Sequence, residues 1–241
     1  MLQAVLFDLD GTLMDHDAAR GAGFMAHAAA VLPELTGAEH DALAQEWQRL
    51  EARHYEEYAS GRISFIEQRR RRVRGLHAAL GRAQPSDAAT DAWFGAYLER
   101  YRAGWTAFDD VGPALAALAA LHPDVGLAVV TNGEGEPQRA KLAAIGLADR
   151  FRVFVASAEV GLAKPDPAIF LLACERLGVE PAAAAHVGDR LDLDAEGAAA
   201  AGLRGIWLDR GSDGASAAGG PSPGIARIAT LRELTAALAP S

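Results

Sequence analysis

The segment Val5-Leu6-Phe7-Asp8-Leu9-Asp10-Gly11-Thr12-Leu13 decides the fold. An apolar run of strand-forming residues ends at two carboxylates, and a glycine turn and a threonine follow. Because alternate residues of a strand point the same way, we expect Asp8 and Asp10 to lie together at the carboxyl end of a buried strand. Ligands bind at that end in open α/β sheets. The alternative is an ordinary solvated Asp-Gly turn, and the rest of the chain decides between the two.

The composition is that of an ordinary globular protein. The 241 residues are 50% hydrophobic and 23% charged, which suffices for a large domain or for a core with a smaller module. The net charge of −9 opposes nucleic acid as the main partner. The sequence has neither an apolar run near the ~20 residues that span a bilayer nor a basic, apolar leader, so we expect a cytoplasmic protein without a membrane partner. The only cysteine, Cys174, lies in a helical pattern typical of a packed core thiol.

Residues 16–103 have a helical pattern and no convincing strand. Capping-box sequences at 36–39 and 64–67 predict helices that start near residues 37 and 65, and the whole segment predicts a four-helix bundle. The arginine run 69–74 is interpreted as a solvated helix that pairs with nearby acids, and the alternative is that one arginine reaches a substrate anion. The aromatic residues of the segment are expected in the bundle core rather than in a stacking platform, and they are Trp47, Tyr55, Tyr58 and Trp93.

From about residue 104 helices and strands alternate, which predicts a parallel sheet with helices on both faces. The predicted strands are 126–130, 152–156, 184–187 and 205–208. The predicted helices are 111–121, 137–145, 167–177, 194–201 and 231–238. Residues 211–224 are rich in Gly, Ser, Ala and Pro and predict a surface loop. The helical segment therefore interrupts an α/β domain directly after its first strand.

Polar side chains follow four of the predicted strands. Asp8 and Asp10 follow the first, Thr131 and Asn132 the second, Lys164 the third and Asp189 the fourth. Since the carboxyl ends of parallel strands share one edge of the sheet, carboxylates, a lysine and a hydroxyl converge there. Carboxylates of this kind suit Mg²⁺, which is commonly held together with a substrate phosphate, and the lysine and hydroxyl suit the oxygens of that phosphate.

At these residues the sequence resembles the haloacid dehalogenase-like (HAD) superfamily of hydrolases. The four ordered motifs that carry the resemblance are Asp8-Leu9-Asp10-Gly11-Thr12, Thr131-Asn132-Gly133, Lys164-Pro165 and Gly188-Asp189 through Asp194. The resemblance extends over the whole chain. It implies a Rossmann-like α/β core formed by residues 1–15 and 104–241, with a four-helix cap, residues 16–103, inserted after the first strand.

The resemblance also implies roles for the motif residues. Asp8 matches the nucleophile, which forms an aspartyl-phosphate. Asp10 matches the general acid/base, and its backbone carbonyl is expected on the metal. Thr131, with Asn132 after it, matches the group that binds the phosphoryl oxygens, and Lys164 matches the lysine that steadies Asp8 and those oxygens.

The last motif is expected to complete a Mg²⁺ site with Asp8 and Asp10. Asp189 matches its metal-binding carboxylate, and Asp194 matches a supporting or water-mediated contact. Asp192 is interpreted as an extra surface acid, and Arg190 stands where many relatives have a small polar residue. His186 is interpreted as a packed histidine rather than a catalytic one.

These roles predict a magnesium-dependent phosphatase that acts on a small phosphorylated metabolite, a nucleotide or a sugar phosphate. The dehalogenases of the family lack the second acid of the first motif, so Asp10 favours phosphoryl chemistry. The alternatives are a phosphoglucomutase-like phosphoryl transferase and a non-catalytic regulator that binds a phosphometabolite. We expect the cap to gate the site and to set specificity, and we expect a monomer or a homodimer.

Overall fold

A computed structural model of the chain describes residues 2–211 and 220–239. The chain divides into two compact units. One unit comprises Met1–His16 and Thr106–Ser241, and the other comprises Asp17–Trp105. The interpretation of the second unit as a cap stays a prediction.

The unit Asp17–Trp105 is helical. Its helices are α1 (His16–Val31), α2 (Gly37–Ala59), α3 (Phe65–Ala79) and α4 (Asp87–Ala103). The predicted starts of α2 and α3 are confirmed. The backbone N–H of Thr36 donates to the Glu39 carboxylate at 2.8 Å while the Thr36 hydroxyl accepts the N–H of Glu39, which is a complete capping box. The hydroxyl of Ser64 accepts the Glu67 N–H at 3.1 Å. Both caps satisfy N–H groups that the start of a helix leaves without partners.

Aromatic rings fill the interior of the helical unit. Trp47 is fully buried and meets Tyr97 edge-on, with ring centroids 4.9 Å apart, and Trp93 lies 5.2 Å from Trp47. Such offset and edge contacts stabilise a core beyond the area they bury. Tyr55 and Tyr58 pair with each other at 5.7 Å and are only partly buried. The predicted aromatic core is therefore confirmed for Trp47, whereas the two tyrosines lie at its margin.

The arginine run of α3 pairs with acids of the same helical unit. Arg70 donates two hydrogen bonds to the Asp91 carboxylate, at 2.8 and 2.6 Å. Arg72 is buried, lies 2.8 Å from a Glu51 oxygen and stacks over the Trp47 ring at 4.2 Å. The predicted pairing with nearby acids is confirmed, but the predicted solvated character is wrong for Arg72, which is buried. A direct contact between one arginine and a substrate stays a prediction.

The other unit is built on a parallel sheet. Its strands are β1 (Ala4–Phe7), β2 (Gly126–Thr131), β3 (Val153–Ala156), β4 (Ala184–Gly188), β5 (Arg204–Leu208) and β6 (Ala226–Ile228). They are ordered β3-β2-β1-β4-β5-β6, and each neighbouring pair is parallel. Strand β1 is buried along its whole length, as expected of a central strand with helices on both faces of the sheet. The predicted α/β fold is confirmed.

Six α-helices accompany the sheet within the described residues. They are α5 (Val111–Leu121), α6 (Gly135–Ala144), α7 (Ser157–Val160), α8 (Pro167–Leu177), α9 (Glu196–Ala200) and α10 (Leu234–Ala237). The predicted bounds of α5 and α8 are confirmed. Cys174 is buried in α8, where it contributes to the core as predicted.

The structure differs from the predicted elements in three places. In place of the predicted helix 194–201, the structure has a π-helical turn, Leu191–Ala195, followed by the short helix α9. Such turns are frequent at functional sites. Helix α6 starts two residues before Pro137, because proline is tolerated in a first turn. Strand β6 was missed because its three residues, Ala226–Ile228, contain no apolar run.

Residues 212–219 of the predicted loop lie outside the described residues. The last predicted helix, 231–238, begins as a 3₁₀ turn, Leu231–Glu233, and continues as α10. Over residues 2–211 and 220–239, none of the helices has both the length and the apolar character needed to cross a bilayer.

Candidate active site

Three adjacent strands end beside one another at the carboxyl edge of the sheet. The register pairs Phe7 of β1 with Val129 of β2 and with Val187 of β4. The residues that follow these positions therefore emerge side by side. The structure brings Asp8, Lys164, Asp189 and Asp194 together there, and it places the side chain of Asp10 in a separate set of contacts.

Asp8 directly follows β1 and is nearly buried, with 6% of its surface exposed. Its N–H donates to the Val187 carbonyl at 3.0 Å, which fixes the backbone. Its Oδ1 accepts a hydrogen bond from the Lys164 ammonium at 2.6 Å. Burial raises the pKa of Asp8 to about 6 even though Lys164 opposes the change. A carboxylate that is desolvated but held by one cation has an oxygen left to react.

Lys164 is the cation at the centre of the site. Its ammonium donates to Asp8 and to Oδ1 of Asp194, both at 2.6 Å. Burial alone would lower the pKa of Lys164, but the two carboxylates raise it above its usual value, so the lysine stays charged. Asn132 holds the lysine backbone from both sides, since its Oδ1 accepts the Lys164 N–H at 2.9 Å and its Nδ2 donates to the Lys164 carbonyl at 3.0 Å. Asn132 therefore orients Lys164 through the peptide groups.

Asp194 is fully buried and held by three donors. Its Oδ1 accepts from Lys164 and from Nε2 of His186 at 3.0 Å, and its Oδ2 accepts the Arg190 N–H at 3.0 Å. Burial opposes ionisation, but Lys164 and His186 hold the pKa of Asp194 well below its usual value. Burial lowers the pKa of His186, which is consistent with a neutral ring that donates to Asp194. His186 is packed, as predicted, and it also contacts the site.

Asp189 follows β4 and lies against the turn after Asp10. Its N–H donates to the Thr12 hydroxyl at 3.1 Å, and its carbonyl accepts the indole N–H of Trp207 at 3.0 Å. Gly11 has a φ of 85°, and a Cβ built on it would lie 2.6 Å from an Asp189 oxygen. A glycine is thus required at this point. Burial, with the nearby charges of Asp8 and Asp194, raises the pKa of Asp189 well above its usual value.

The carboxylates of Asp8, Asp189 and Asp194 form the candidate metal centre. Each offers one oxygen, and these oxygens all lie within 4.8 Å of one another. Burial raises the pKa of Asp8 and of Asp189, and repulsion among the three acids adds to the rise. A purely carboxylate donor set suits a hard cation such as Mg²⁺, so the residues fit the predicted group. Asp192, by contrast, is exposed and pairs with Arg190.

The carboxylate of Asp10 is held by two residues of α6 that the sequence did not single out. The Lys141 ammonium donates to both Asp10 oxygens, at 2.8 and 2.7 Å. Nε2 of Gln138 donates to Oδ2 of Asp10 at 2.9 Å and to the Thr131 hydroxyl at 2.7 Å. Burial opposes ionisation, but Lys141, with His16, lowers the pKa of Asp10. The only sequence signal was the i, i+3 spacing of the two polar residues on the helix after β2.

A third missed residue, Arg210, fixes the backbone of the Gly11–Thr12 turn. Its guanidinium donates to the Gly11 carbonyl at 3.2 Å and to the Thr12 carbonyl at 3.0 Å. It also makes a two-bond pair with Asp110, at 2.9 and 3.0 Å, and lies 3.8 Å above the Phe108 ring. Two-bond arginine–carboxylate pairs are geometrically specific. Arg210 therefore stiffens the turn that follows Asp10.

A profile that describes haloacid dehalogenase-like hydrolases matches residues 2–202. The chain belongs to this family. The phosphoserine phosphatase of Thermus thermophilus is 36% identical over 172 residues, which are 71% of this chain and 66% of that protein. The glyceraldehyde 3-phosphate phosphatase of Methanopyrus kandleri is 34% identical over 211 residues, which are 88% of this chain and 85% of that protein. The chain thus spans just under two thirds of the first relative and most of the second.

The fold of this haloacid dehalogenase-like hydrolase is also found in solved structures. The putative HAD-hydrolase YfnB from Bacillus subtilis superposes with a TM-score of 0.78 at 22% identity, and the alignment covers 98% of both chains. At that identity the likeness concerns the fold. The family assignment made from the four motifs is confirmed.

Proposed function

We propose that this chain is a magnesium-dependent phosphomonoester hydrolase that acts on a small phosphorylated metabolite through an aspartyl-phosphate on Asp8. The chain is a hydrolase by family, and its curated relatives named above are phosphatases. The observation that carries the proposal is the buried contact of Lys164 with Asp8 and Asp194. The lysine ammonium lies 2.6 Å from Oδ1 of each aspartate. It leaves one cation-steadied carboxylate at the edge of the sheet, where a phosphate can approach.

In the first half-reaction Asp8 is the nucleophile. Its free oxygen attacks phosphorus while the bond from phosphorus to the leaving oxygen breaks. The protonated form of Asp10, which Lys141 disfavours in the free enzyme, gives its proton to that oxygen, so the product leaves as an alcohol. Lys164 and the Thr131 hydroxyl stabilise the charge on the transferring oxygens.

In the second half-reaction water replaces the alcohol. Asp10, now a carboxylate, takes a proton from a water molecule while the oxygen of that water attacks phosphorus. The bond between phosphorus and Asp8 breaks, which releases inorganic phosphate and restores both carboxyl groups to their starting states. Such acid–base help is typically worth ~10²–10⁴ in rate.

The proposed Mg²⁺ would be held by Asp8 and Asp189, with the Asp10 carbonyl as a further ligand and Asp194 as support. A bound divalent cation supplies Lewis-acid stabilisation of the phosphoryl oxygens and offsets the repulsion among the acids. Asp194 serves this site indirectly, because its oxygens are already engaged by Lys164, His186 and the Arg190 N–H. Its contribution is to orient Lys164.

The relatives and the second acid support the proposed substrate class. The two curated relatives are named for phosphoserine and for glyceraldehyde 3-phosphate, both small phosphate monoesters. Asp10 is present and its carboxylate is held by defined donors, which favours a reaction that needs a proton donor. Cleavage of a carbon–halogen bond by an aspartate has no such need.

The test is phosphate release from a panel of sugar phosphates, nucleotides, phosphoserine and an aryl phosphate, with Mg²⁺ and with EDTA. We expect wild type to release phosphate only with Mg²⁺ and Asp8→Asn to release none. Halide release from a 2-haloacid without phosphate release would overturn the proposal. Turnover that requires a sugar bisphosphate would favour the mutase instead.

A further inference from the structure

Gln138 and Lys141 lie on one face of α6, since residues three apart are neighbours on a helix. Both are nearly buried, with 4% and 7% of their surface exposed. Both aim their donors at the carboxylate of Asp10, which is itself partly open, with 28% of its side chain exposed. The two residues therefore place three hydrogen bonds on the carboxylate of Asp10.

We infer that Lys141 and Gln138 are positioning residues that hold the Asp10 carboxyl group in the orientation for proton transfer to the leaving oxygen. The inference rests on the proposed phosphatase function. It extends that function to residues outside the four motifs. We call the two residues and Asp10 together the α6 clamp.

The argument starts from the freedom of an aspartate. An exposed carboxylate can rotate about two side-chain bonds, and proton transfer needs it within hydrogen-bond reach of one oxygen. Lys141 contacts both oxygens and Gln138 contacts one, so the plane of the carboxyl group is fixed as well as its position. A displacement of about 1 Å in such a group can cost 10²-fold in rate.

Gln138 also determines the hydrogen-bonding direction of the Thr131 hydroxyl. The two N–H groups of the Gln138 amide serve Asp10 and Thr131, at 2.9 and 2.7 Å. Because the Thr131 oxygen accepts this bond, its own hydrogen is available to donate elsewhere. The same amide thus prepares a proton donor for the phosphoryl oxygens and an orientation for Asp10.

The test compares two substrates that differ in their need for an acid. A nitrophenolate can leave without first taking up a proton, whereas an alkoxide needs a proton to leave. The kcat/KM for an alkyl phosphate should therefore depend on Asp10 much more than the kcat/KM for p-nitrophenyl phosphate. We would measure both values with Mg²⁺ for wild type, Asp10→Asn, Lys141→Met and Gln138→Leu. Arg139→Met is the matched control, because Arg139 is on the same helix but pairs with Glu159 on the surface.

We expect Asp10→Asn to lower kcat/KM for the alkyl phosphate by about 10²–10⁴ relative to the aryl phosphate. Lys141→Met and Gln138→Leu should lower the ratio of the alkyl-phosphate kcat/KM to the aryl-phosphate kcat/KM by at least about 10-fold. Lys141→Arg should keep part of the ratio that Lys141→Met loses. Adding Lys141→Met to Asp10→Asn should lower the ratio no further, because both act through one carboxyl group. Arg139→Met should leave the ratio at the wild-type value.

The ratio separates positioning from folding, because a loss of folded enzyme lowers both rates equally. Equal losses on the two substrates in Lys141→Met and Gln138→Leu would overturn the inference, as would an unchanged ratio in Asp10→Asn, while the phosphatase proposal would stand in either case. If wild type hydrolyses neither phosphate, the proposed function fails and the inference fails with it.

Discussion

Replacement of Lys164 by methionine is the sharpest test of the charge arrangement at the site. Methionine keeps much of the length of the side chain but removes its charge. In wild type the ammonium lies 2.6 Å from Asp8 and 2.6 Å from Asp194, and the three side chains are 3%, 8% and 1% exposed. The variant leaves two buried carboxylates without their shared cation.

The expected cost follows from this burial. Removal of one partner of a buried ion pair destabilises a protein by about 3–5 kcal/mol, because an uncompensated charge remains. For a chain of this size, each kcal/mol lowers the Tm by roughly 2–4 °C. We therefore expect the transition of the α/β unit to fall by roughly 6–20 °C in metal-free buffer.

The assay is differential scanning calorimetry with EDTA, applied to a double-mutant cycle. Lys164→Met combined with Asp8→Asn should melt above Lys164→Met alone, because one of the two unpaired charges is gone. Arg139→Met, which breaks an exposed pair with Glu159, should cost no more than about 1 kcal/mol. A loss below about 1 kcal/mol in Lys164→Met, or a double variant less stable than the single one, would refute this account of the site.

Three further predictions concern the metal, the turn and the helical unit. Asp189→Asn should raise the Tm of the metal-free protein, because it removes a carboxylate whose pKa is raised by burial and by repulsion from Asp8 and Asp194. The same variant should abolish the rise in Tm on adding Mg²⁺, and a rise as large as in wild type would contradict the metal site. Gly11→Ala should cost roughly 1–3 kcal/mol in urea unfolding, because Gly11 has a φ of 85°, whereas Gly21→Ala, with open space around it, should not destabilise. Burial, with Arg100 nearby, lowers the pKa of His27 to about 4. The folded state therefore binds a proton at His27 less tightly than the unfolded state does. The contribution of His27 to stability is complete above about pH 6.5 and is lost as the pH falls towards 4. His27→Gln should reduce the difference in unfolding free energy between about pH 7 and about pH 4 by about 3 kcal/mol, and an unchanged pH dependence would contradict the assignment.

The sequence predicted the strand ends well because their signals are local. Asp8 and Asp189 each follow directly after a buried strand, and the carboxyl ends of parallel strands lie on the same edge of the sheet. The family assignment followed from the order of these motifs and is confirmed. The roles of the motif residues, the bound metal, the cap and the oligomeric state stay predictions.

The residues that the sequence missed act over long separations. Lys141 is 131 residues from Asp10 in the chain, and Arg210 is 199 residues from Gly11. In a local pattern each looks like an ordinary polar residue of a helix or loop. Their partners are determined by the packing of α6 and of the segment after β5 against the first turn, which periodicity does not encode.

The π-helical turn at Leu191–Ala195 was missed for a related reason. The sequence Asp192-Leu193-Asp194 reads as the start of an α-helix. In the fold, the Oδ2 of Asp194 accepts the Arg190 N–H at 3.0 Å, and its Oδ1 reaches Lys164. The local hydrogen bonding is thus shaped by a contact with the site, which is a tertiary effect on secondary structure.

The most direct test of the central claim is the identification of the phosphorylated residue during turnover. Enzyme and Mg²⁺ would be mixed with the best substrate of the panel, quenched in acid and treated with borohydride, which reduces an aspartyl-phosphate to homoserine, and the peptides would then be sequenced by mass spectrometry. We predict homoserine at position 8 in wild type and not in Asp8→Asn. Rapid phosphate release with an unmodified Asp8, or with the modification on another acid, would contradict the account.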